Sequence, residues 1–313
     1  MKKILVLLAL SLALASCNNS PNTSSTALTE NNTIKVSASI APISSIINYV
    51  ADNTVSVHTV VPVGASPHTF ELKPSDMIAI GDSKAVFTVG LGLDSFLLNA
   101  LDGKYNVDLS TSIQARNAMT IDEDEKDKAI GVGEKSPFGL DPHMWLSINN
   151  AEIIADRVKE ELIKLNPSKV DLYKANSAKF TQELETIKSG FADFKKGKTP
   201  QNYIVFHDAY NYLFADMGMD LNKKFVFEET PGIEPSTQAF KKLIDEIKKN
   251  NIKIIFKEPQ LSSKSVEVLE KDYGLTVLQL NPLGNSDDKD EYIKNLKQNL
   301  ESLKKIYDLG TKL

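Results

Sequence analysis

From residue 34 onward the chain alternates short β-branched runs with segments whose apolar positions recur at three- and four-residue steps. Residues 34–40, 55–63, 85–89 and 105–109 read as strands, rich in Val and Ile and bounded by turn residues. Between them, 42–50 sets Ile43, Ile46, Ile47 and Val50 on one helical face, and 74–80 opens on Pro74, which suits a first helical turn. The rhythm restarts after residue 200, with strands predicted at 203–206, 224–227, 252–256 and 275–280 and helices at 236–249, 262–273 and 289–307. Strands separated by helices imply right-handed crossovers and parallel sheets. The pattern predicts an α/β protein made of two parallel-sheet lobes, with no sequence repeat between them beyond the shared order of elements.

The segment joining the halves carries the longest periodic stretch. Asn166 followed by Pro167 is a good helix start, a capping residue before a proline at the first helical position. Val170, Tyr173, Phe180, Leu184, Ile187, Phe191 and Phe194 then form one apolar stripe, with Ser177 filling its single gap. A helix over 167–195 is roughly 44 Å long, enough to brace both lobes. A coiled coil is the alternative, but about four heptads without continuation favour packing within the chain. The predicted organisation is therefore an N-terminal lobe over 34–165, a linking helix over 166–196 and a C-terminal lobe over 197–313. One long loop before Asp141 carries the acidic run Asp122, Glu123, Asp124, Glu125 and Asp127. Such loops are functional or disordered, and a solvated mobile loop is the preferred reading.

Residues 1–16 stand apart from the fold. Lys2 and Lys3 precede an apolar run over 4–14 and read as a secretory signal, and that run is shorter than the roughly 20 residues of a spanning helix. Leu14-Ala15-Ser16-Cys17 resembles the lipobox of bacterial lipoproteins, in which the cysteine is lipidated and becomes the mature N-terminus. Cys17 is the only cysteine in the sequence, and a lone thiol closes no internal disulfide. Its alternative is an unused cysteine in a signal peptide. Residues 18–33 are nearly all Asn, Ser, Thr and Pro, too polar to pay for their own ordering, so 17–33 reads as an anchored, flexible tether. Removing the signal leaves 34 Lys and Arg against 41 Asp and Glu, a net charge of −7, which argues against a nucleic-acid partner. The expectation is an exported chain, lipid-anchored through Cys17 at the extracytoplasmic face, monomeric, and touching the membrane through its lipid alone.

Three of the four histidines lie in loop-like contexts after predicted strands: His68 in Ser66-Pro67-His68-Thr69-Phe70-Glu71, His143 in Asp141-Pro142-His143-Met144-Trp145, and His207 in Val205-Phe206-His207-Asp208. In open parallel sheets ligands bind beyond the carboxyl ends of strands. Three neutral imidazoles about 2.0–2.1 Å from one ion make a strong zinc shell. The long separations lack the short-range signature of a zinc finger or an HExxH helix, so spacing alone leaves a shared metal as one reading among several. His58, inside a predicted strand, reads as structural. Asp208 and Glu71 are candidates to orient a ring or to cap the next helix, and Trp145 and Phe70 to line the site or the core.

These histidine contexts, with Pro74-Ser75-Asp76, the Asn166-Pro167 helix start and Glu258-Pro259, resemble the zinc- and manganese-binding solute-binding lipoproteins of ABC transporters, the helical-backbone metal receptors. The likeness runs from residue 34 to the C-terminus. It implies two α/β lobes on one long helix, a divalent metal held between them by His68, His143 and His207, and delivery to an importer permease in the membrane. Manganese-preferring members carry a glutamate at the third position, so His207 implies Zn2+, with Mn2+ as the competing ion; imidazole suits zinc and carboxylate suits manganese. Many members place an aspartate where this chain has Asn281, whose neutral amide oxygen offers weak coordination, a hold on a coordinating water, or neither. The loop that is often histidine-rich in zinc members carries carboxylates here. A zinc hydrolase with three histidines and an open fourth position, or a surface adhesin on the same scaffold, are the alternatives; no nucleophile elbow or HExxH supports the former, and the chain is expected not to be an enzyme.

Overall fold

Both sheets use the same plan, four parallel strands with the second strand outside the first and the third on its other side. The computed structural model describes residues 33–117, 139–227, 236–260 and 264–308. The signal segment, Cys17 and nearly all of the tether lie outside the described residues, as does the acidic loop. In the N-terminal sheet β1 (Ile34–Ala38), β2 (Val55–Thr59), β3 (Val86–Thr88) and β4 (Asn106–Asp108) stand in the order β2-β1-β3-β4. In the C-terminal sheet β5 (Tyr203–Val205), β6 (Lys224–Val226), β7 (Ile254–Lys257) and β8 (Thr276–Gln279) stand in the order β6-β5-β7-β8. The strands are shorter than the apolar runs that predicted them. After β2, for instance, Val60 and Val61 still donate to the Ala38 and Ser39 carbonyls, and Pro62, which has no N–H, follows them.

Helices α1 (Ala41–Ala51), α2 (Pro74–Asp82), α6 (Thr237–Lys249), α7 (Lys264–Tyr273) and α8 (Glu291–Asp308) fall within a few residues of the periodic segments. Two helices were not anticipated from the sequence, α3 (Ile148–Leu165) and the short α5 (Asn211–Asp216). The signal for α3 was present: Ser147 caps it by accepting the Asn150 N–H, and Ile148, Ala151, Ile154, Ala155, Val158 and Leu162 make a buried stripe at helical spacing. The linking helix α4 runs Val170–Lys195, about 39 Å, and starts later than expected. Pro167–Lys169 forms a separate 3-10 turn, and the Asn166 side chain accepts the Ser168 hydroxyl at 2.7 Å instead of capping backbone N–H groups.

The α4 stripe is buried at Tyr173, Ser177, Phe180, Leu184 and Phe191, against α1, α3 and α8. One continuous core passes through this helical layer, from Val36 and Ala38 of β1 to Tyr203 and Val205 of β5. Smaller clusters cover the far faces, Val60, Val86 and Leu97 on one side and Ile204, Phe225 and Leu243 on the other. Polar contacts fasten the loop after β8 to the N-terminal lobe: Ser45 Oγ donates to the Asp288 carbonyl at 2.6 Å, Asn48 to the Asp287 carbonyl at 2.8 Å and Thr59 Oγ1 to the Asp287 carboxylate at 2.6 Å. The two sheets are thereby held in one arrangement, and the loops at their facing ends with them. Among the described residues no helix is long and apolar enough to cross a membrane.

Candidate metal centre

Three segments of different local structure carry the histidines. His68 sits in a 3-10 turn, Pro67–Thr69, on the way from β2 to α2, with its backbone N–H given to Ser66 Oγ at 3.3 Å. His207 follows β5 directly, at the point where the chain leaves β5 for β6 on one side before crossing to β7 on the other, the expected ligand crevice of a doubly wound sheet. His143 corrects the expectation that all three follow strands. It precedes the 3-10 turn Met144–Leu146 that leads into α3, far along the chain from β4, which ends at Asp108.

The fold brings these three rings together. Their ligand nitrogens all lie within 4.8 Å of one another, and among the described residues no other group of three or more His, Cys, Asp or Glu is so disposed. The ring centroids of His143 and His207 are 4.7 Å apart, and those of His68 lie 5.3 and 5.5 Å from the other two. His68 Nε2 and His143 Nε2 stand 3.2 Å apart. Two nitrogens bound to one tetrahedral zinc at 2.0–2.1 Å are about 3.3 Å apart, so this pair already has nearly the spacing such an ion needs.

Buried carboxylates set which nitrogen the His143 and His207 rings present. Asp141 Oδ1 accepts both the backbone N–H of His143 at 3.0 Å and its Nδ1–H at 2.8 Å. Glu258, at the end of the neighbouring strand β7, accepts from His207 Nδ1 at 3.1 Å and is itself held by Gln260 at 2.6 Å. A carboxylate only accepts, so each Nδ1 carries the proton and each Nε2 keeps a lone pair. His68 is pushed down to about 2, first by burial and then by the neighbouring His143 and His207, so it stays neutral and able to ligate near pH 7. Burial pushes the Asp141 carboxyl up, but the hydrogen bonds from His143 and Asn211 outweigh it and hold the group below the usual carboxylate range. Burial, then the Glu258 charge, keeps the Tyr210 phenol protonated beside this carboxylate.

The other sequence candidates divide. Asn281 is buried, and its amide oxygen accepts the N–H groups of Leu283 and Gly284, both at 3.0 Å, while Asn295 and Asn299 donate to its carbonyl. Both lone-pair directions of that amide oxygen are taken up in shaping its own loop, which among the three readings left open for Asn281 favours the one in which it neither coordinates an ion nor holds a coordinating water. Asp208 pairs with the buried Lys224 at 2.5 Å; the carboxylate that orients His207 is Glu258. Glu71 is exposed and outside the cluster. His58 lies 3.8 Å from Asp76, away from the site. Trp145 is wall and core at once, 5.4 Å from the His143 ring and donating to the Pro282 carbonyl at 2.8 Å. Phe70 packs edge-on against Phe96. The supporting roles of Asp141 and Glu258 were not assigned from sequence, although strand order alone sets the residues after β5 and β7 side by side.

Comparison with known proteins gives the arrangement a family. The profile of ZnuA, the periplasmic component A of a zinc-uptake complex, matches residues 36–306. The chain belongs to the ZnuA family. Within the ZnuA family and its relatives, the zinc-binding lipoprotein AdcA of Streptococcus pneumoniae (strain ATCC BAA-255 / R6) is 26% identical, over 98% of this chain and 62% of that protein. The chain therefore spans less than two thirds of AdcA. The high-affinity zinc uptake system protein ZnuA of Haemophilus ducreyi is 28% identical over 80% of this chain and 84% of its own. A crystal structure of ZnuA superposes with a TM-score of 0.73 at 28% identity, covering 88% of this chain and all of that one.

Proposed function

We propose that the chain captures one divalent transition metal, zinc in preference to manganese, through His68, His143 and His207, and delivers it to the permease of an ABC importer. The observation that carries this reading is the convergence of three imidazoles, at least two held in the tautomer that aims Nε2 at a common point. An all-nitrogen shell favours zinc over manganese. Behind the rings of His143 and His207 lie the buried carboxylates of Asp141 and Glu258, whose negative charge favours a dication over a neutral guest. In this reading 34–165 and 197–313 are the two lobes, 166–196 the link, and Cys17 the lipid anchor of a monomer at the extracytoplasmic face. Asn281 contributes through its loop.

A hydrolase requires a general base near the ion. Both carboxylates that contact the histidines are engaged by imidazole Nδ1–H, which supports a carrier over a catalyst. The test is zinc content and melting temperature of the soluble protein beside His207→Ala. Capture predicts one zinc per wild-type chain, and about 4 kcal/mol of stabilisation when free zinc is a thousandfold above Kd. Stoichiometric zinc retained by His207→Ala, or a melting temperature indifferent to zinc in the wild type, would overturn the reading.

A further inference from the structure

Behind the histidines runs a buried polar chain that crosses from one lobe to the other. Lys224, the first residue of β6, is 3% exposed, and its Nζ donates to Asp208 Oδ1 at 2.5 Å and to Asn211 Oδ1 at 2.6 Å. Asn211, the first residue of α5 and 5% exposed, donates through Nδ2 to Asp141 Oδ2 at 3.2 Å and to the Asp208 carbonyl at 3.1 Å. Asp141, 2% exposed, accepts from His143 on its other oxygen. At one end of this chain is a proposed zinc ligand; at the other is Asp208, next in sequence to a second ligand, His207.

The donor and acceptor sense of the chain is fixed from its cationic end. An ammonium has three donors and no acceptor, so the amide of Asn211 must turn its oxygen to Lys224. Its NH2 then faces Asp141, and a carboxylate held by that NH2 has its remaining oxygen set for the Nδ1–H of His143. The ammonium also offsets charge: it pairs with the part-buried carboxylate of Asp208 and, through Asn211, stands behind the buried carboxylate of Asp141.

We propose that Lys224 is a positioning residue of the metal site, which acts through Asn211 and Asp141 to fix the Nδ1–H tautomer and orientation of His143 while anchoring Asp208 beside His207. It touches no metal; it sets two ligands, one from each lobe, relative to each other. This inference rests on the proposed zinc capture for its binding readout, but the tautomer belongs to the metal-free protein and is measured separately.

The experiment compares wild type, Lys224→Met, which keeps the stem and removes the charge, and Lys224→Arg, which keeps a donor-only cation. Zinc affinity is measured by competition with a chromogenic chelator. The His143 tautomer is read from long-range nitrogen–proton NMR of the metal-free protein, and folding is checked by circular dichroism. The expected result is a folded Lys224→Met protein with zinc affinity about 10- to 100-fold lower, the loss typical of outer-shell partners, and His143 no longer confined to the Nδ1–H form, with both restored in part by arginine. Should Lys224→Met not fold, Asn211→Ala, which leaves the Lys224–Asp208 pair intact, is read by the same criteria. A folded variant with wild-type affinity and an unchanged tautomer would overturn the inference. Failure of zinc capture itself shows in the wild-type arm alone, and the tautomer measurement then still decides the role of Lys224.

Discussion

His143 and His207 are alike in a way that the bare presence of histidine does not convey: each gives Nδ1–H to a buried carboxylate and keeps Nε2 for the centre. The ring is thus aimed before any ion arrives, and binding need not select one tautomer from two. Replacing Glu258 with Gln keeps the shape but turns a charged acceptor into a neutral amide. The expected outcome is a zinc affinity about 10- to 100-fold below wild type with the fold intact, measured by chelator competition. Asn281 is the contrasting case. Asn281→Ala removes the acceptor of two buried backbone N–H groups and is expected to cost about 1–3 kcal/mol in denaturant unfolding, while zinc affinity falls far less than in Glu258→Gln. At this scale the sequence was legible where chemistry is carried by residue type. His68, His143 and His207, which the fold brings together, were singled out because imidazole is conspicuous and their contexts resemble a known set. The role of Asn281 stayed open in the sequence because its position says nothing about what its lone pairs face, which here are the N–H groups of Leu283 and Gly284. Asp141, Glu258, Asn211 and Lys224 were passed over because their meaning comes from juxtaposition across strands and lobes.

Periodicity located most elements, and the long stripe from Val170 to Phe194 gave α4 its place as the link. Phe180 shows what that helix does: it is fully buried, 5.1 Å edge-on from Tyr49 of α1 and 5.6 Å from Tyr292 of α8, so one side chain of the link packs on both lobes. Phe180→Ala is expected to cost about 3–5 kcal/mol in equilibrium unfolding, the range for a buried phenylalanine whose neighbours cannot collapse into the space. Boundaries were less readable than elements. The 3-10 turn Pro167–Lys169 delays the start of α4, and most strands end before their apolar runs do, because hydrophobicity reports burial and does not mark where a regular strand stops. Helix α3 carried a cap and a buried stripe in plain view, yet its many charged positions masked the pattern.

As a whole the molecule is two similar sheets that share one core, and this unity bears on function. A site assembled from both lobes keeps its geometry only if the lobes keep theirs, and the helical layer with the loop after β8 provides that constraint. Calorimetry of the metal-free protein is expected to give one cooperative transition, with van't Hoff and calorimetric enthalpies equal; two resolved transitions would mean that the lobes unfold independently. The most direct test of the central claim, that imidazoles from distant parts of the chain converge on one ion, is X-ray absorption at the zinc edge of the protein loaded with one equivalent. The arrangement predicts three imidazole nitrogens at about 2.0–2.1 Å with their characteristic outer-ring scattering. A shell of oxygens alone, or a single imidazole, would contradict it.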